Sequence, residues 1–281
     1  MLRAHPQFPI AARIAADGFL RLYQGNRLLN TVVNDRGRML MGYFALYLHY
    51  FNDPTDPLSG LTVSRMKQLC IEQNVCSAGR AEAMLMVMRL FGYLEQAPTG
   101  SDRRLRRLAA TDRLIQSHHE RWELIFSAMA HVLPDGKAAL AVARQDDFTR
   151  RFVRELHKHF VRGVRILDYS PDLELFTDRN SGTMIMFSLL TAGAPDDAFP
   201  PTRPVSVSIS ALSRRFGVSR VHVRKLIRDA EQQGFLSRSP DSEDCIVLHP
   251  ALTEGALNFF ATVFLFIGQC ARRAMDAGGS V

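Results

Sequence analysis

The stretch SRRFGVSRVHVRKLIRDAEQQGFLSR, Ser213 to Arg238, carries two patterns at once. Arg214, Arg215, Arg220, Arg224, Lys225, Arg228 and Arg238 stand against only two acids, Asp229 and Glu231, yet apolar residues recur through it at helical spacing. Leu212 and Phe216 are i, i+4 and line one face of a first helix. Gly217 supplies a left-handed turn position at no steric cost. Val218 plugs the space between helices, and the Ser219 hydroxyl caps the next helix by accepting a backbone amide bond. Val223, Leu226, Ile227 and Ala230 form the buried stripe of that second helix, which Gly234 ends as a C′ glycine. Two helices crossing through a tight turn make a helix-turn-helix.

The opposite face of the second helix holds Arg220, His222, Arg224, Lys225 and Arg228, with Val221 beside them. In a recognition helix the N-terminal residues and the next turn meet the major groove of DNA. Arginine can pair bidentately with guanine there, while Lys and Arg also neutralise phosphates. Arg214 and Arg215, on the preceding helix, would reach the DNA backbone. The competing interpretation is a solvated basic face on an unrelated fold.

Working outward, the same order of features recurs earlier in the chain. LTVSRMKQLCIEQNVCSAGRAEAMLMVMRLFGYLEQ (Leu61 to Gln96) resembles VSISALSRRFGVSRVHVRKLIRDAEQQGFLSR (Val207 to Arg238). Gly92-Tyr93-Leu94 matches Gly234-Phe235-Leu236, Ser77 matches Ser219, Cys76 matches Val218, and the first copy has one extra residue in its turn. Upstream, NDRGRMLMGYFAL (Asn34 to Leu46) matches TDRNSGTMIMFSLL (Thr177 to Leu190). The pattern predicts a tandem duplication. Residues 1–133 hold a first helix-turn-helix at about 61–92, a hairpin at about 93–110 and a long helix from Thr111 to Leu133. Residues 134–281 hold a second at about 208–234, a hairpin at about 235–249 and a long helix from Leu252 to Met275. Turn chemistry at Leu133-Pro134-Asp135-Gly136-Lys137 marks the boundary. A basic amphipathic helix, Asp147 to Ile166, leads into the second copy, whose first and second helices are joined by the Pro- and Ala-rich loop Thr191 to Val205.

After Gly234, Leu236 starts a strand, Ser239-Pro240-Asp241-Ser242 turns, and Cys245 to Leu248 returns. The first copy has YLEQAPTGSDRRLRRLAAT in that place, with Pro98-Thr99-Gly100-Ser101 at the tip. Asp102-Arg103-Arg104, followed by Thr111 and a long helix, resembles the wing of MarR-type regulators. The resemblance implies a mainly α fold with small β-hairpin wings: two tandem winged helix-turn-helix domains whose long flanking helices form a pseudo-dimer. It makes Arg104 the minor-groove candidate and Asp102 its orienting partner. Arg103, Arg106 and Arg107 are further basic candidates near the backbone. Strand alternation would put Arg103 and Arg107 on one face and Arg104 and Arg106 on the other.

The chain departs from that family in two ways. The usual member is a single-copy homodimer of about half this length. Here the two copies are unequal. The first recognition-helix counterpart, SAGRAEAMLMVMRLF, offers Ser77 and Arg80 but also Glu82 and little other charge. The second copy has the basic helix but an acidic wing tip, Asp241, Glu243 and Asp244, which repels phosphate. A covalent pseudo-dimer with unlike halves need not read a palindrome.

Bulk properties agree with an anionic partner. Lys and Arg outnumber Asp and Glu by 35 to 28, a formal net charge of +7, and such an excess suits nucleic acid or a membrane surface. The expected partner is double-stranded DNA, not a membrane, in a bacterial cytoplasm. The N-terminus lacks the apolar core of a secretory signal. The apolar run Leu257 to Gly268 is too short to span a bilayer and predicts a buried helix, through which two chains could pair as a homodimer. Cys70, Cys76, Cys245 and Cys270 lack metal or redox spacing and read as reduced structural thiols. His118-His119 and His157-Lys158-His159 read as solvated or capping residues rather than metal ligands, since their side chains diverge around a helix. No phosphate loop or nucleophile motif is present, so no enzyme and no cofactor are expected. Trp122 and Phe126, i and i+4 on the long helix of the first copy, lie where the resemblance places an effector pocket, leaving room for a small-molecule effector. Two other functions fit the same features: a plasmid-type replication initiator with two winged helices, and a winged-helix docking module that no longer binds DNA specifically.

Overall fold

The structure, a computed structural model, describes residues 2–23, 36–53, 55–56, 59–97, 107–240 and 242–278. It is mostly helical with small antiparallel sheets. The chain opens with α1 (Phe8–Tyr23) and α2 (Arg36–Tyr50). Then follow α3 (Val63–Glu72) and α4 (Ala78–Leu90), a hairpin of β1 (Leu94–Gln96) and β2 (Leu108–Ala110), and α5 (Asp112–Met129). After α6 (Pro134–Val142) and α7 (Asp146–Val161) come the short α8 (Glu174–Thr177) and the apolar α9 (Gly182–Leu190). A second series consists of β3 (Val205–Ser206), α10 (Ile209–Phe216), α11 (Arg220–Gln232), β4 (Leu236–Ser239), β5 (Ser242–Leu248) and α12 (Pro250–Asp276).

The two series share backbone hydrogen bonds position by position. At the inter-helix turn, Val75 N donates to Cys70 O at 2.8 Å and Val218 N to Ser213 O at 3.2 Å. The preceding residues, Asn74 and Gly217, both have positive φ, 51° and 66°. At the end of the second helix, Tyr93 N donates to Met88 O and Phe235 N to Ala230 O. Closing the hairpins, Thr111 N donates to Tyr93 O and His249 N to Phe235 O. Leu108 N donates to Leu61 O where β3 pairs with β5 in the later series, Val205 opposite Ile246. These bonds correct one sequence match: Val75, not Cys76, takes the place of Val218. Cys76 is the extra residue, inserted between that turn and the cap Ser77.

Two other expectations are corrected. Leu133 to Lys137 is not a free turn: Pro134 sits at the start of α6, where its missing N–H costs nothing. Gly136 is there because α6 crosses the end of α5 backbone to backbone, so that an added Cβ would lie 2.3 Å from Ala130 N. The basic helix ends at Val161 rather than Ile166, with Gly163 following in a left-handed conformation. The last helix, 27 residues long, runs close to the expected Leu252 to Met275; by length and composition alone it is long and apolar enough to cross a membrane. Here Phe260, Phe264, Ile267 and Ala271 of α12 are buried, and the helix packs against α7, α6 and α5.

The core is shared across the chain. Helix α1 packs on both α5 and α9, and α2 on α7. Phe148 and Phe152 stack on each other and Phe126 meets both edge-on, while Phe187 stacks on Phe260 at 5.2 Å between ring centroids. The buried faces of the α3–α4 and α10–α11 pairs, Met66, Leu69, Ala81 and Leu85 in one and Leu212, Phe216, Val223 and Ile227 in the other, join this same core.

Candidate nucleic-acid interface

α10 and α11 are built as their residues dictate. Ser208 caps α10 by accepting from Ala211 N at 3.2 Å, and Ser219 caps α11 by accepting from His222 N at 3.1 Å. The Ser213 hydroxyl donates to Val218 O at 2.7 Å and ties the turn to the first helix. Leu212 and Phe216 meet Val223, Leu226, Ile227 and Ala230, all buried. Removing one large apolar side chain of this kind from water contributes about 1.5–3 kcal/mol. The helix pair is therefore anchored by its apolar half, and its other half stays outside.

That outer half carries Arg220, Val221, Arg224, Lys225 and Arg228, all exposed; Arg228 lies 4.0 Å from Asp229. Arg220 and Arg224 also border a concavity of about 420 Å³ with Ser206, Ser208, Ser210, Asp244 and Arg238. Arg238, on β4, belongs to this group, although the sequence interpretation passed over it as a site residue. The available signal was its position two residues beyond the buried Leu236, on a strand bordering the same turn.

Other expected contacts lie elsewhere. His222 is half-buried, its Nε2–H donating to Asn180 O at 2.9 Å. Arg215 is half-buried with its guanidinium 5.5 Å from the Phe216 ring centre, whereas Arg214 is exposed. Asp229, on the buried side of α11, pairs with Arg179 at 2.7 Å. Together with His222 this ion pair fastens α11 to the segment between α8 and α9, giving Arg179 of that sequence match a structural task.

The earlier series presents a different face. Ser77 caps α4, accepting from Arg80 N at 3.4 Å, and Arg80 is exposed. Where α11 has Arg224, Lys225 and Arg228, α4 has Glu82, Ala83 and Met86, followed by Leu90. Met86 and Leu90 are 61% and 79% exposed, and Glu82 is paired with Lys67. This surface carries far less positive charge than that of α11. Arg107 is half-buried, its Nη2 donating to Asp56 O at 2.8 Å. Asp102, Arg103, Arg104 and Arg106 lie outside the described residues, as do the side chains of Asp241 and Glu243.

His118 and His119 are not the solvated or capping residues that the sequence suggested. His118 and His119 are buried on the inner side of α5, with His118 Nδ1 donating to Leu114 O at 3.0 Å and His119 Nε2 meeting Thr149 Oγ1 at 2.8 Å. Burial, reinforced by Arg121, pushes the His118 pKa down to about 3. His157 stacks on Tyr47, and burial with the nearby Arg65 charge lowers its pKa to about 4. Among the described residues no three His, Cys, Asp or Glu side chains converge as a metal site. Cys70, Cys76, Cys245 and Cys270 are free thiols; burial first, and Cys76 beside it second, push the Cys70 thiol up to about 12. Of the two aromatic residues expected at a pocket, Trp122 lines a partly open cavity of about 300 Å³ between helices that include α1, α5, α7, α9 and α12. Phe126, one turn on, is instead packed against Phe148 and Phe152 and lines no part of it.

Compared with known proteins, the chain matches no protein-family model, no curated protein sequence and no solved structure.

Proposed function

We propose that the chain is a sequence-specific double-stranded-DNA-binding protein, a transcriptional regulator of the MarR-like type with two winged-helix units in tandem. The observation that carries this reading is the division of α11. Val223, Leu226, Ile227 and Ala230 are at most 1% exposed, while Arg220, Arg224, Lys225 and Arg228 face outward together. A solvated helix needs no such concentration of one sign, and phosphate neutralisation does. The hydrogen-bond correspondences between the two series support the tandem arrangement, and the β3–β5–β4 sheet beside α11 supports the wing.

Under this reading α11 enters the major groove. Arg220, Val221 and Arg224 are nearest the base edges, and Lys225, Arg228, Arg214 and Arg238 lie toward phosphates. The Glu82, Ala83 and Met86 face of α4 leaves base contact to α11, so the bound site is asymmetric for one chain acting alone. Selection from a random duplex library at near-physiological salt tests the proposal. An enriched, non-palindromic motif is expected. Retention without any enriched motif overturns sequence-specific recognition, and a short perfect palindrome overturns the lone pseudo-dimer.

A further inference from the structure

Helix α4 follows its turn as α11 does, but much of the face it shows to solvent is apolar. Gly79, Ala83, Met86 and Leu90 are all exposed, at i, i+4, i+7 and i+11. Steps of four, three and four residues put them on one stripe with the spacing of a coiled-coil seam. The opposite face, Ala81, Met84, Leu85 and Met88, is buried and holds the helix to the core. Gly79 is the informative member of the stripe. It lies in the first turn of α4, has no positive φ, and a Cβ added there would meet nothing within 4 Å. Glycine is a poor residue inside a helix, and no contact among the described residues requires it here. A second surface passing close to the helix backbone would.

We propose that α4 pairs antiparallel with α4 of a second copy of this chain. In that register Leu90 of one chain lies over Gly79 of the other, and Met86 over Ala83, so a large side chain faces a small one in every layer. Charge agrees with size. Glu82 and Arg89, seven residues apart, flank the stripe on the same edge, and both are exposed. Antiparallel pairing sets Glu82 of each chain against Arg89 of the other, two opposite-charge contacts generated by one two-fold axis. Glu82 already pairs with Lys67 of its own chain, and a carboxylate has the oxygens to accept from both. Parallel pairing would stack Leu90 on Leu90, leave Gly79 facing Gly79, and make neither charge contact. A helix that matches itself in both size and charge fits a second copy better than an unrelated partner. With only 13 residues in α4, the interface is small and the dimer weak, with a dissociation constant on the order of 10–100 μM. The pairing uses none of the α11 residues and is tested without DNA.

Sedimentation velocity of the full-length protein, from about 1 to 500 μM, measures it. A monomer–dimer equilibrium is expected. Glu82→Arg and Arg89→Glu should each weaken it by about tenfold or more. The double variant should recover most of that loss, because the contact re-forms with its signs exchanged. Leu90→Ser should weaken the dimer too. Gly79→Leu should weaken it while leaving the monomer's melting temperature unchanged or higher, since the added side chain meets nothing in its own chain. A monomer at every concentration overturns the proposal. So does a dimer indifferent to Leu90→Ser and Glu82→Arg, which pairs through another face, or a loss from charge reversal that the double variant does not recover. Should a Glu82 variant not fold for want of its Lys67 contact, Leu90→Ser and Gly79→Leu decide.

Discussion

Arg224 lies one turn into α11 on the face away from Val223 and Leu226, exposed beside the concavity that Arg220 and Arg238 also border. A side chain so placed can reach a base edge, and its loss should be sequence-dependent. Arg224→Ala is expected to weaken binding to the selected site by about 1–3 kcal/mol and to relax base preference at one position. Arg238→Ala should weaken selected and random duplexes alike and make the salt dependence shallower; fluorescence anisotropy across a salt series separates the two. Equal, sequence-blind losses from both would contradict base contact by α11. His118 allows a different test. Its folded pKa is lowered, so between about pH 6.5 and 3 the unfolded chain binds a proton that the native chain does not. Stability from this group is therefore complete above pH 6.5 and is lost as pH falls. The slope approaches about 1.4 kcal/mol per pH unit where the imidazole is fully protonated only when unfolded. His157, lowered to about 4, adds in the same direction. Urea midpoints from pH 7.5 to 4.5 should decline, and less steeply in His118→Gln.

At the scale of elements, two glycines at helix junctions should respond differently to the same methyl group. Gly217, between α10 and α11, has φ of 66° and nothing within 4 Å of an added Cβ. Gly217→Ala meets only the left-handed backbone penalty, about 1 kcal/mol. Gly136 lies on α6 where a Cβ would strike Ala130 N at 2.3 Å and Met129 C at 2.6 Å. Backbone cannot rotate away, so Gly136→Ala should reach or exceed the upper end of the about 1–3 kcal/mol typical of overpacking. Thermal unfolding of both variants checks the order, and a Gly136→Ala variant as stable as Gly217→Ala would contradict the close crossing. The contrast also shows what the sequence made legible. The Gly217 turn, the Ser219 cap, the α11 stripe and the hairpin after Gly234 rest on neighbours in sequence, and all are found where their residue types placed them. The role of Gly136 depends on a crossing with residues whose proximity no local pattern encodes. For the same reason no local pattern shows the bond of His222 to Asn180, that of Arg107 to Asp56, or the placement of Arg215 near the Phe216 ring.

For the whole molecule, the repeat in sequence suggests two separable units, whereas the packing joins them. α1 leans on α5 in its own half and on α9 in the other, and α12 lies along α7 and also touches α5. Cutting the chain between Leu133 and Pro134 would uncover Phe8, Leu20, Phe187, Phe260 and Phe264 together, residues now at most 3% exposed. Exposing so large a contiguous apolar face invites association rather than independent folding. A helix bundle shared this closely should also unfold as one unit, with calorimetric and van't Hoff enthalpies in agreement. Calorimetry of the full chain, with expression of residues 1–133 and 134–281 separately, tests this. A single transition is expected, together with fragments that are unfolded or aggregated alone and regain helicity when mixed. Two resolved transitions, or a fragment that melts cooperatively alone, would mean that the shared core contributes little. A single unit matters for the proposed function: if α11 is the only base reader, the earlier series, through the common core, fixes the orientation in which that one helix meets DNA.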